Sequence, residues 1–303
     1  MSDDILVECN KSQLKFMLDY LRPLLPRHLQ QHHFIYSYLY HYERINNNRH
    51  RIDSDRWNVR FYTHRKGQPE NCTLITLNGS RDYIVVCFTL DETKAELKQC
   101  LQQTNRINWQ NTPFSMLCDE GLFDVVNEVL CQKNPIDWLY PPREKIFYRT
   151  PETIEALPIN VKLPDDLFIA PLDHRKHAKI MDDHWYYKHE NSLPLIRHSI
   201  EFNGGLGIFR HGEADPIAWI TTNEYLTPGF LYTKKSERCK GYGELLTTLE
   251  LKRTLKINGL PSCSFISVEN KRSLAMNRKL RATVVGMVTW IEKPLPLDKK
   301  SHL

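Results

Sequence analysis

The last quarter of the chain alternates strand and helix. "GFLYT" reads as a strand, and Gly241 to Leu255 as a helix with apolar Leu245, Leu246, Leu249 and Leu255. Asn258-Gly259 supplies a stop signal. "CSFISV" is the next strand, "NKRSLAMNRKL" the next helix and "ATVVGMVTWI" a final strand. A strand–helix–strand order makes the flanking strands candidates for a parallel pair, because antiparallel neighbours need only a short turn. The expected fold class is α/β (α+β).

The preceding segments read the same way. "FIAPLDHRKHAKIMDDHWYY" is a strand and then a helix, "LPLIRHSIEFN" is helical, and "GGLGIFRHGEADPIAWITT" is two strands around a polar turn at Gly212 to Asp215. Near the start, "SQLKFMLDYLRPLLP" has helical spacing at Leu14, Met17, Leu18 and Leu21 and is ended by Pro23 and Pro26. "FIYSYLYHY" alternates and is rich in aromatic residues, so a strand is expected. "WNVRFYTH" and "CTLITL" are further strands, and "YIVVCFTL" reads as a buried one. "DETKAELKQCLQQT" is a helix capped by Asp91 or Thr93, and "GLFDVVNEVLCQK" is another. From Tyr140 to Asp166 the chain carries Pro141, Pro142, Pro151, Pro158 and Pro164. Proline at this density opposes helix and central strand, so 141–165 is expected to connect a domain over 1–140 to one over 166–303.

No apolar run is long enough to span a bilayer, so no membrane partner is expected. The N-terminus has neither a signal-peptide nor a transit-peptide pattern, and the eight cysteines form no CxxC pair. Reduced thiols in a cytoplasmic protein are expected. "HRKHAK" sets His174 and His177 three apart, with His184 following, but no Glu or Cys completes a metal set. They read as a solvated polar face, and no metal is expected. "QHHFIYSYLYHY" could stack on bases, but a half-buried strand explains it, so no nucleic acid is expected.

Charge is uneven. Leu231 to Arg281 holds 12 Lys+Arg against 4 Asp+Glu, a local +8 within a chain of net +5, leaving −3 elsewhere. Such a field suits an anionic partner or is a solvated basic face. "SERCKGYGELL" sits inside it, at the expected start of a helix. The first N–H groups of a helix lack partners, and the macrodipole adds positive charge there. Gly241 and Gly243 would let a phosphate approach them, with Lys234, Lys235, Arg238 and Lys240 on the rim. GxxxxGK[ST] is absent, and Leu246 breaks GxGxxG. Cys239, also in the loop, could have a depressed pKa there or be a small loop residue.

"RCKGYG" resembles the acyl-CoA pyrophosphate loop of the GCN5-related N-acetyltransferase (GNAT) superfamily. "FISVENKRSLAMNRKL" resembles that superfamily's segment in which an Asn after the fifth strand, here Asn270, opens a helix, with Ser273 one turn on. "VTWIEK" resembles the last strand of its glycine N-acyltransferase-like branch. "LRPLLPRHLQQHHFIYSYLYHYERIN", "NRINW" and "PLDHRKHAKIMDDHWYY" resemble other segments of that branch. The resemblance implies two GNAT-like domains, the second a V-splayed mixed sheet that takes acyl-CoA and the first a degenerate copy without the loop. It places the pyrophosphate on Arg238, Cys239, Lys240, Gly241, Tyr242 and Gly243. Pantetheine would lie along Leu231, Tyr232 and Thr233, with Asn270 and Ser273 nearby. It also allows a mitochondrial location.

The implied reaction is direct transfer of an acyl group from acetyl-CoA or another acyl-CoA to the amine of a small molecule such as an amino acid, by a monomer. It needs proximity, a base and donors for the developing oxyanion. Glycine-conjugating members place a Glu on the strand before the loop. Here Thr227 stands there, and Glu224, three residues earlier, is the candidate base. Many members place a Tyr where Asn277 stands. Two alternatives follow: a protein or polyamine N-acetyltransferase of the same fold, and a non-catalytic CoA-binding protein.

Overall fold

A computed structural model describes residues 4–47, 57–79 and 83–294, with the backbone alone for 41–47. In chain order it runs β1 (Leu6–Glu8), α1 (Lys11–Leu21), α2 (Leu29–Asn47), β2 (Val59–His64), β3 (Leu74–Asn78), β4 (Tyr83–Phe88), α3 (Ala95–Gln103), β5 (Phe114–Asp119) and α4 (Phe123–Lys133). Then come β6 (Glu144–Arg149), α5 (Pro151–Glu155), β7 (Leu167–Pro171), α6 (Ala178–Asp183), α7 (Ser192–Asn203), β8 (Gly205–Arg210) and β9 (Ala218–Thr222). The chain closes with β10 (Pro228–Thr233), α8 (Tyr242–Asn258), β11 (Ser262–Ser267), α9 (Lys271–Lys279) and β12 (Thr283–Glu292). It divides into one compact unit of residues 1–145, 267–269 and 286–303, and a second of residues 146–266 and 270–285.

In the first unit β1 to β4 pair antiparallel in sequence order, and β5 pairs parallel with β4. The end of β12 adds antiparallel to β5, from Val288 opposite Asp119 to Glu292 opposite Ser115. One sheet face packs Ile75, Val85, Cys87, Met116 and Cys118 under Leu97 and Leu101 of α3 and Val126 and Leu130 of α4. On α1, Asn10 accepts from the Gln13 N–H at 2.9 Å and Gln13 accepts in return from the Asn10 N–H. This capping box satisfies two otherwise orphaned donors.

The second unit has a four-stranded antiparallel sheet in the order β10-β9-β8-β7. α8 covers one face with Tyr242, Leu245 and Leu246 against Leu167, Ile208 and Ile220. α6 and α7 cover the other with Ala178, Met181, Ile196 and Ile200 against Phe209 and Trp219. β6 lies between β11 and β12 and is hydrogen-bonded to both.

Three expectations are corrected. "FIYSYLYHY" is helix, part of α2, not strand. Leu29 through Ile35 are all buried, so this first part of the helix shows no polar stripe, and the aromatic residues of the helix meet at helical spacing instead. His32 stacks on Tyr36 and Tyr36 on Tyr40, with ring centroids 6.5 and 5.7 Å apart. The proline-rich segment 141–165 contains β6 and α5, because its prolines flank β6 and Pro151 occupies the first turn of α5, where no N–H is needed. His177 is buried rather than solvated: its Nδ1 accepts from the Asp173 N–H at 2.8 Å and its ring tilts against Phe209.

Candidate functional site

β10 and β11 are successive strands joined through α8, yet neither is the other's neighbour. β10 is the edge of the four-stranded sheet with β9 as its partner, and β11 pairs with β6. The corresponding strands of the first unit behave differently. β4 and β5 are hydrogen-bonded in unbroken register from Tyr83 opposite Phe114 to Cys87 opposite Cys118. The crossover of the second unit therefore joins two strands that do not pair, an open crossover, whereas in the first unit the two strands pair, a closed one. A free strand edge presents unpaired N–H and C=O groups that an extended ligand can use.

β10 is also bulged. Gly229 is opposite Thr221 and Tyr232 opposite Trp219, so one extra residue is accommodated, and Phe230 takes a φ of 52°. A bulge turns backbone groups away from the ladder. On either side of it the side chains divide between faces. Leu231 packs with the α8 core, whereas Phe230 and Tyr232 pack with the α6–α7 core. The Phe230 ring lies 5.0 Å from Trp185, and Tyr232 lies 5.0 Å from Trp219 and 4.8 Å from His184.

The loop after β10 has the form a phosphate cradle requires. Cys239 and Gly241 have positive φ, 64° and 83°, and α8 starts at Tyr242 with no side-chain cap on its first N–H groups. Gly241 is needed twice over. A side chain there would be strained, and its Cβ would come within 2.9 Å of Val161. Gly243 lies inside the first turn, where a Cβ would meet only Leu231, at 3.8 Å. The Tyr242 side chain is in the core, which leaves its backbone alone at the loop surface. Arg238 donates from Nε to the Thr233 carbonyl at 3.1 Å and lies over the Tyr232 ring. Lys240 and Arg210 both engage Glu237, at 2.8 and 3.2 Å, and hold its carboxyl below the usual range. Lys234 and Lys235 have no ion pair among the described residues, so they carry the free charge of the rim. Cys239 is exposed.

Asn270 is the N-cap of α9, its Oδ1 accepting from the Ser273 N–H at 3.1 Å. Two further candidates are held by contacts the sequence does not announce. Asn277 is buried: its Nδ2 donates to the Ser273 carbonyl at 2.9 Å, and its Oδ1 accepts from Arg149 at 2.8 Å. Arg149 is 1% exposed and also donates from Nε to the Leu280 carbonyl at 2.9 Å. Burial without a carboxylate lowers its pKa to about 10. The Asn277 amide is thus built into the C-terminal cap of α9.

Thr227 locks the β9–β10 turn, donating from Oγ1 to Asn223 Oδ1 at 2.7 Å while that oxygen also accepts the Thr227 N–H. Glu224 lies in this turn, off strand β10, and is 7% exposed. The next residue, Tyr225, reaches β11, with its ring 5.6 Å from Phe265. The turn therefore bridges the two open strands at the end away from the glycine loop. Sequence reading also missed Glu250, fully buried on α8. It accepts from Thr222 Oγ1 at 2.6 Å and from Arg253 at 2.8 and 2.7 Å, pinning the end of β9. Among the described residues no group of three His, Cys, Asp or Glu is placed to hold a metal ion. No described helix is long and apolar enough to cross a membrane.

Residues 5–129 match a family model described as a domain of unknown function, DUF5645. The human glycine N-acyltransferase-like protein 2 is 24% identical over 192 residues, which is 60% of this chain and 65% of that protein's length. A Drosophila protein solved as a structural-genomics target superposes with a TM-score of 0.87 at 22% identity, covering 96% of this chain and 99% of that one. A tandem GNAT protein from the clavulanic acid biosynthesis pathway superposes at 0.55 and 10% identity, covering 96% and 99%. A GCN5-related N-acetyltransferase from Kribbella flavida gives 0.51 at 14% identity, covering 75% and 89%. The resemblance read from the sequence holds: the chain is similar to a glycine N-acyltransferase-like protein and has the two-domain GNAT fold.

Proposed function

We propose that the second unit is an acyl-CoA-dependent N-acyltransferase acting on a small amine such as an amino acid. The opened β10–β11 crossover beside an uncapped, glycine-led helix start carries this reading. In it the pyrophosphate of acyl-CoA rests on the backbone from Arg238 to Gly243, with Lys234 and Lys235 adding charge. The pantetheine arm lies along the free edge of Leu231 to Thr233 as an added strand. Backbone N–H groups released by the bulge at Phe230 face the thioester carbonyl and stabilise negative charge developing on its oxygen. The amine enters from the end where Tyr225 meets Phe265, and Glu224 takes its proton directly or through one water. Asn270, with one amide oxygen committed to Ser273, uses its Nδ2 toward the ligand. The first unit, with its crossover closed, binds no CoA.

The observation that favours a second reading is Asn277. Its amide is spent on Arg149 and Ser273, so no side chain at that position can protonate a leaving thiolate. A non-catalytic CoA-binding protein is the reading this supports. The two separate in one assay. Acyl-CoA is incubated with a panel of amino acids and polyamines, and free thiol release is followed. Release above background with some amine, lost in Glu224→Gln, supports transfer; release that is flat across the panel contradicts it.

A further inference from the structure

The first unit contains a feature that CoA chemistry leaves unexplained. Among the described residues, five buried side-chain atoms on four residues of this unit lack a hydrogen-bond partner: Gln31 Oε1, His32 Nε2, Thr76 Oγ1 and both amide atoms of Asn78. All four residues are buried. Native proteins leave few such atoms, because a buried polar group without a partner keeps its full desolvation penalty.

The fold gathers these residues on one face. Ile75 and Leu77 of β3 point into the core beneath α3 and α4. Strand alternation therefore turns Thr76 and Asn78 to the opposite face. α2 covers that face. Its approach touches β4 through His28 against Phe88, at 5.1 Å, and Gln30 and Gln31 both donate to Asp119 at the end of β5. Further along, Phe34 and Tyr38 pack on Phe61 of β2, at 5.3 and 4.6 Å. A helix that meets β4 and β5 before residue 32 and β2 after residue 33 crosses β3 between them. Thr76 is the β3 residue directly opposite Phe61, and Asn78 is the next on the same face.

The unpartnered chemistry is neutral and two-sided. Asn78 offers a donor and an acceptor, Gln31 an acceptor, Thr76 a hydroxyl and His32 a ring nitrogen. Both carboxylate oxygens of Asp119 already accept from the Gln30 and Gln31 amides, so the charge nearest the cluster is committed. We propose that the first unit holds a binding site between α2 and β3 for a small neutral molecule that both donates and accepts hydrogen bonds, of the amide or polyol class. This site is separate from the β10–β11 crossover and does not depend on acyl transfer.

The test is saturation-transfer NMR on the full chain with acetamide and glycerol as probes, acetate and methylammonium as charged controls, and acetyl-CoA present throughout at saturating concentration. Transfer to the neutral probes but not to the charged ones is expected, with at least tenfold weaker binding in Asn78→Leu. Absence of transfer to either neutral probe, or transfer unchanged in a folded Asn78→Leu variant, overturns the proposal. Thr76→Val, which nearly conserves volume, serves if Asn78→Leu does not fold. A crystal soaked in acetamide gives an independent reading. Probe density bridging Asn78 and His32 supports the site, and a dry site or one holding only ordered water overturns it.

Discussion

Gly243→Glu separates the phosphate cradle from the fold that carries it. Gly243 is the second residue of α8, and an added Cβ meets nothing closer than Leu231, at 3.8 Å. Replacing a helical glycine gains up to about 1 kcal/mol of backbone entropy, and a carboxylate in the first turn adds about 0.3–1 kcal/mol from the helix dipole. The melting temperature should hold or rise. A pyrophosphate seated on the same N–H groups would meet the new carboxylate at about 5 Å. Coulomb repulsion at that distance is about 1 kcal/mol in water and about 3 kcal/mol at an effective dielectric near 20. CoA affinity should fall by about 5- to 150-fold, and less at high salt. Calorimetric titration with CoA, paired with thermal melts, measures both. A folded Gly243→Glu variant with unchanged affinity would refute the placement of the pyrophosphate. Gly241→Glu is a poorer probe, since its φ of 83° and the Val161 contact lower stability together with binding.

Other outcomes follow from the same contacts. Glu250→Ala should destabilise the second unit by about 1.5–3 kcal/mol in denaturant titrations, because it removes a charged acceptor from the Thr222 hydroxyl and from Arg253, which keeps the Asn203 carbonyl, and Glu250→Gln should cost less. Asn277→Ala removes an acceptor from a buried cation and should cost about 1.5–3 kcal/mol by the same measurement. Glu144, which accepts from the Trp290 indole N–H at 3.0 Å, has its pKa raised by burial, and Glu292 is raised by burial and by Glu144. An acid raised in the folded state contributes stability that is full below its unfolded pKa and lost as pH rises through the folded value. Thermal melts between pH 4.5 and 7.5 should therefore show wild type losing stability relative to Glu144→Gln as pH rises. Cys131 and Cys239 are the exposed thiols, and CoA should protect Cys239 alone from alkylation, as read by mass spectrometry.

Legibility in the sequence followed the range of the interactions. α8 was readable because its limits are local: Gly241 before it and Gly259 after it both adopt left-handed backbone. The N-cap of α3 is Lys94 rather than the expected Asp91 or Thr93, whose side chains, in the turn before the helix, instead accept from the Glu96 and Ala95 N–H groups. The start of α2 hides its helical period because Leu29 to Ile35 are buried on every side, which erases the polar stripe on which periodicity depends. β6 was hidden by prolines that bound it rather than interrupt it. At the candidate site the glycine loop could be found from a dozen residues. The Arg149–Asn277 bond spans 128 residues, and the Tyr225–Phe265 contact depends on a crossover that has to fold before the two rings meet.

The central claim is that one crossover is open for acyl-CoA and its counterpart is closed. Isothermal titration of the full chain with acetyl-CoA and a longer acyl-CoA tests it most directly. Saturable binding with one ligand per chain, abolished or strongly weakened in Gly243→Glu, is the expected result. No heat of binding at millimolar ligand would contradict the open β10–β11 site, and two ligands per chain would contradict the closed β4–β5 pair.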